Sequence, residues 1–168
     1  MSKLETPMTR WYWQQVGGTL VEEFCAVPRS CDCSNRLIDG IIIKGGEFRI
    51  AKQSDVTVDG ADVVVVQAKA KRLGMYLMGQ ALFSAELLKR FNPRSVESVA
   101  LVTKDDAVLR PLFEAPPGCA LSFVLQRLLP RRTQNRHYES LFVRPNPGDI
   151  RCGALCRRRC VGAHDWQT

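Results

Sequence analysis

No run of apolar residues in this chain approaches the roughly 20 that a helix needs to cross a bilayer. The first residues also lack a charged stretch followed by an apolar core, the pattern of a secretory signal. These absences argue against a helical membrane protein and lead to the expectation of a cytoplasmic chain with no membrane partner. Histidine is nearly missing. The only two, His137 and His164, lie late in the sequence, and nothing brings either beside a thiol as a Cys/His hydrolase would require. The seven cysteines are an odd number without the spacing of a disulfide framework, so reduced thiols are expected. Cys152, Cys156, Cys160 and His164 recur every four residues, but on a continuous helix they would span roughly 18 Å, far too long for one zinc ion. There is no internal repeat.

What is present is an uneven charge. The net charge is +7, yet residues 1–115 hold 15 lysines and arginines against 14 acids, whereas residues 116–168 hold nine arginines, no lysine and three acids. Basicity confined to one segment is the electrostatic footprint of nucleic-acid binding, although a solvated extension has the same composition. Pro116-Pro117-Gly118 marks the division, so the expectation is a domain over 1–115 and a basic C-terminal extension over 116–168. At 168 residues the chain is long enough for one domain with a real core.

Trp13, Val16, Leu20 and Phe24 recur at helical spacing, which predicts a helix over 9–26 with Glu23 at the edge of its apolar stripe. Arg36 to Ile43 reads as a strand. The turn Lys44-Gly45-Gly46-Glu47 then predicts a hairpin with a second strand around Phe48 to Ala51. A short stretch at Asp55 to Val58 and the run Ala61 to Gln67 complete the sheet, and the last strand, apolar on both faces, is central. Leu73, Leu77, Ser84 and Leu88 share one face of a following helix closed by Asn92-Pro93, and Gln80 is carried to the same side. Val96 to Val102 is a further strand. Asp105 or Asp106 is placed to cap a short helix through Phe113, and Leu121 to Leu129 suits one more helix. The class is α/β, in the order αβββαβ.

Within that order, Asp39 lies on an early strand, and Gln67-Ala68-Lys69 emerges from the buried run Val63-Val64-Val65-Val66. This arrangement resembles the PD-(D/E)xK nuclease superfamily over residues 9 to about 113, and is nearest in motif to Mrr-like restriction endonucleases, in which glutamine replaces the second acid. The resemblance implies a restriction-endonuclease-like core, a central mixed sheet flanked by helices, and metal-dependent cleavage of phosphodiester bonds in DNA. It implies Mg²⁺ or Mn²⁺ held by Asp39, the Gln67 side chain and the Ala68 carbonyl, since such ions take hard oxygen ligands and keep several waters. Lys69, two residues from Gln67 on the same strand face, would hold the attacking water and offset charge on the phosphorane. Glu23 would add a carboxylate from the first helix, Gln80 would meet phosphate, and Lys71 and Arg72 would contact the backbone. A homodimer would cut both strands, though the sequence identifies no interface.

Each residue also has a structural role open to it. Asp39-Gly40 suits a strand-end turn or bulge, Glu23 a solvated helix edge, Gln67 and Lys69 the exit of a central strand, and Gln80 a hydrogen bond tying helix to sheet. The rival functional reading is a catalytically inactive nuclease-fold module that binds DNA or a protein partner, because Gln67 removes one charge from the site.

Overall fold

The computed structural model of the chain describes residues 4–124. The first helix, α1, runs Glu5–Val16. Pro7 suits its first turn, where a missing N–H costs nothing. Gly17, with φ +77°, ends it while donating its N–H to the Trp13 carbonyl at 2.7 Å. The helix expected over 9–26 is therefore corrected in its second half: Thr19–Val27 is a strand, β1. Trp13, Val16, Leu20 and Phe24 share no single face: the helix ends at Gly17, and Glu23, at φ +50°, interrupts the pleat, so Leu20 and Phe24 enter different apolar clusters.

The remaining elements are β2 (Arg36–Ile43), β3 (Arg49–Ala51), β4 (Asp62–Arg72), α2 (Met75–Leu88), β5 (Ser95–Lys104), α3 (Leu109–Glu114) and β6 (Cys119–Phe123). The strands form one six-stranded mixed sheet in the order β3-β1-β2-β4-β5-β6. β1 and β4 flank β2 antiparallel, whereas β5 and β6 follow β4 in parallel. The hairpin expected between β2 and β3 does not form. Both edges of β2 are taken, so β3 pairs in parallel with the far side of β1, and the Thr19 hydroxyl donates to the Glu47 carbonyl at 2.8 Å to hold the crossing loop. Asp55 to Val58 is not a strand either: Gln53–Asp55 is a 3-10 turn, and Val58 is a buried plug beneath the sheet.

Cys119–Phe123 extends the sheet past Pro116-Pro117-Gly118, so the sheet does not stop at residue 115, and Leu121 to Phe123 are strand where a helix was expected. Residues 125–129 of that expected helix, most of the Arg-rich extension and the Cys152/Cys156/Cys160/His164 series lie outside the described residues. Among the described residues, no helix is long and apolar enough to cross a membrane.

As expected, β4 is the buried strand. Val63, Val64, Val65 and Val66 are all nearly inaccessible, each contributing about 1.5–3 kcal/mol of burial. Val64, Val66 and Ala68 pack with Met8 and Trp13 of α1; Val63 and Val65 pack on the other face with Leu88 of α2. Further along α2, Leu77 and Ala81 meet Ala100 and Val102 of β5 and Phe113 of α3. The helices thus sandwich the strand that carries Gln67 and Lys69.

Gly18 fixes the approach of α1 to this sheet. Its φ is +80°, a Cβ there would lie 2.3 Å from the Ile43 carbonyl oxygen, and its own carbonyl accepts the Trp13 indole N–H at 2.7 Å. Gly18→Ala should destabilise the protein by about 2 kcal/mol or more in urea titration. Gly74→Ala, at an ordinary φ with open space around it, should stay within about 0.5 kcal/mol of wild type. Equal midpoints for the two variants would show that α1 does not depend on this contact.

Candidate active site

The β2–β4 ladder ends at Gly40↔Val66. β2 nevertheless continues beside β1 as far as Arg36, and β4 continues beside β5 as far as Arg72. The two central strands therefore part, and the fork exposes backbone groups of β4 that would otherwise lie in a ladder. Asp39 answers this need, its Oδ2 accepting the Ala68 N–H at 2.9 Å. In an extended strand the N–H and C=O of one residue face the same neighbour, so the Ala68 carbonyl is aimed into the same gap. Pleat alternation slips here on β2 as it does on β1: Ile38 and Ile41 share a cluster, while Gly40 faces α1, where a Cβ would meet Thr9 Cγ2 at 2.7 Å.

Asp39 is partly buried, and burial pushes its carboxyl above the usual carboxylate range. The Ala68 N–H offsets part of that shift, the neighbouring Glu5 carboxylate raises it further, and Lys69 lowers it. Lys69 Nζ lies 2.7 Å from Glu5 Oε1. That hydrogen bond is the largest influence raising the Lys69 pKa, so the side chain is an ammonium at neutral pH. Glu5, Asp39, the Ala68 backbone and Lys69 accordingly converge at the mouth of the fork.

Glu5 is the acid that sequence reading missed. It stands in the first turn of α1, where a negative charge suits the helix dipole, and only 8% of it is exposed. Pro7 was the available signal, since proline in a first turn places the helix start a residue or two before it. Glu23, assigned the role of the first-helix acid, is instead an exposed residue of β1. Its register position is opposite Asp39, between the pairs Glu22↔Gly40 and Phe24↔Ile38, but it is not among the groups that shift Asp39.

Gln67 is 2% exposed, and its amide nitrogen donates to the Ser84 hydroxyl of α2 at 2.8 Å. It therefore ties sheet to helix while lining a groove of about 590 Å³ that Gln80 also lines. Gln80 faces this groove on the side of α2 towards β2 and is only partly buried, short of the interior position its spacing predicted. Beyond Lys69 a register shift gives β4 an extra residue relative to β5 before Arg72↔Lys104, a bulge that turns the strand end. Lys71 is exposed there, whereas the Arg72 guanidinium donates to the Asp105 carbonyl at 2.8 Å.

As donors, the carboxylates of Asp39 and Glu5 and the Ala68 carbonyl are hard oxygens. Among the described residues, no cluster of three or more His, Cys, Asp or Glu side chains is placed to hold a metal ion. This set fits a cation that keeps most of its water and does not fit a closed zinc site. Comparison of the chain with protein-family models, with curated proteins and with solved structures gives no match to any of them.

The raised Asp39 pKa has a consequence for stability. The folded protein holds this proton more tightly than the unfolded chain, so Asp39 favours folding at acid pH and that contribution is lost as pH rises through its raised pKa. Asp39→Asn keeps an acceptor for the Ala68 N–H without the buried charge. Its Tm should lie about 2 °C above wild type at pH 7.5, with the difference shrinking towards pH 4. A lower Tm at every pH would make Asp39 a structural carboxylate.

Proposed function

We propose that this chain is a divalent-metal-dependent nuclease that hydrolyses phosphodiester bonds in DNA. The observation that carries the reading is the convergence of two carboxylates, Asp39 and Glu5, with the Lys69 ammonium where β2 and β4 part. The order α1-β1-β2-β4-α2-β5, with β3 as a short edge strand, supports a restriction-endonuclease-like core of PD-(D/E)xK type. Glu5 takes the place first given to Glu23 and restores the charge that Gln67 removes.

Asp39, Glu5 and the Ala68 carbonyl would hold Mg²⁺ or Mn²⁺, with Gln67 beside them at the groove. The ion would supply Lewis-acid stabilisation of the phosphoryl oxygens and an acidified water. The protein's own groups divide the remaining work. Lys69, kept protonated by Glu5, offsets charge on the phosphorane and is a poor proton acceptor. Asp39, held by the Ala68 N–H, would present its carboxylate to the cation. Lys71 is placed for backbone phosphates, with Arg72 beside it, and the arginines of the C-terminal segment would add salt-dependent affinity.

One observation favours the rival reading of an inactive module of the same fold. The Gln67 amide is committed to Ser84, as in a purely structural polar link. Plasmid cleavage separates the two. Purified protein should nick DNA with Mg²⁺ or Mn²⁺ and not with EDTA. Asp39→Asn, Glu5→Gln and Lys69→Ala should each lose about 100-fold or more, while Glu23→Gln stays within about threefold of wild type. Absence of metal-dependent nicking in folded protein would overturn the enzyme reading and leave the binding module.

A further inference from the structure

The groove beside the fork holds chemistry that hydrolysis of a phosphodiester does not use. It opens between the start of β2 and one face of α2, and its volume of about 590 Å³ falls in the range of sites that enclose a small organic ligand. Its rim is aromatic and exposed: Tyr76 is 73% and Phe83 71% accessible, although both belong to a helix whose other face is core. Its lining mixes apolar groups, Leu37, Met75 and Leu87, with polar ones. Gln67 and Gln80 present amides, the buried Gln67 is held in place by Ser84, and Arg36 stands exposed at the mouth.

Exposed aromatic faces beside an amide match a nucleobase, which stacks through its faces and hydrogen-bonds through its edge, and the cations Arg36 and Lys69 close by suit its phosphate. The groove lies near the candidate active site, since Tyr76 of its rim is close enough to act electrostatically on Lys69. A base seated in it would belong to the nucleotide beside the cleaved phosphate. Inside an intact duplex a base cannot reach such a recess.

We propose that the α2–β2 groove binds an unpaired nucleobase, so that the protein acts on single-stranded or locally opened DNA. This rests on the nuclease reading above and names its substrate class. Tyr76 and Phe83 provide the stacking surfaces, Gln80 and Gln67 the edge contacts, and Arg36 a cation for the adjacent phosphate.

The test is binding of the full chain, in EDTA, to a fluorescent single-stranded oligonucleotide and to a duplex of equal length, with Tyr76→Ala, Phe83→Ala and Phe83→Trp. Both side chains are exposed, so their removal leaves the core intact. Each alanine variant should weaken single-strand binding by about 5- to 100-fold and duplex binding by less than twofold, and Phe83→Trp should restore the loss. Equal affinity of all variants for the single strand, or equal losses on both DNAs, overturns the proposal. So does a change in oligomeric state by light scattering, which would make the groove a self-association surface. Because binding is read without metal, the two readings fail separately. Aromatic-dependent binding without cleavage sinks the nuclease alone. Metal-dependent nicking that Tyr76→Ala and Phe83→Ala leave unchanged, with unchanged binding, sinks the groove proposal alone.

Discussion

The hydrogen bond from the Ala68 N–H to the Asp39 carboxylate is the contact on which the site's architecture depends. Where β2 leaves β4, a backbone donor loses its ladder partner, and a half-buried donor left unsatisfied costs about 1–3 kcal/mol. A side chain from the departing strand fills the place. One residue thereby allows the sheet to split, caps the split, and leaves a carboxylate facing Glu5 and Lys69.

Three charged groups, Asp39, Glu5 and Lys69, act on one another at the fork. Burial and Glu5 disfavour the charge of Asp39, while the Ala68 N–H and Lys69 favour it. The Lys69–Glu5 pair is partly exposed and contributes little to stability. A carboxylate is useful at position 39 if a cation or a proton is to be taken up.

Much of this was legible in the sequence, and the failures have physical reasons. The valine run of β4, apolar on both faces, announced a central strand, and the bounds of β2 were read correctly because its β-branched residues lie between turn signals. Asp39, Ala68 and Lys69 are neighbours at the fork. α2 carries Leu77, Ser84 and Leu88 inward as their spacing required. β1 was misread because Leu20 and Phe24 keep a four-residue interval that fits a helix, although the slip at Glu23 puts them in different apolar clusters. That error displaced the acidic residue: with the helix begun at Thr9 and run through Glu23, Glu5 fell outside it. β3 could not be placed, since its parallel pairing with β1 is set by which edges of β2 are already occupied, a property of the whole sheet. The resemblance implied a metal-ligand role for Gln67, but it gave no sign of the bond from its nitrogen to Ser84, 17 residues on, which is fixed only when α2 packs.

The central claim is that Glu5, Asp39 and Lys69 form one cation-dependent centre at the strand fork. Binding of Mn²⁺ followed by electron paramagnetic resonance tests it without reference to any substrate. The account predicts one bound ion per chain in the wild type, with Asp39→Asn and Glu5→Gln each weakening it at least about tenfold and Glu23→Gln leaving it unchanged. Binding that is indifferent to both Asp39 and Glu5, or that follows Glu23, would contradict it.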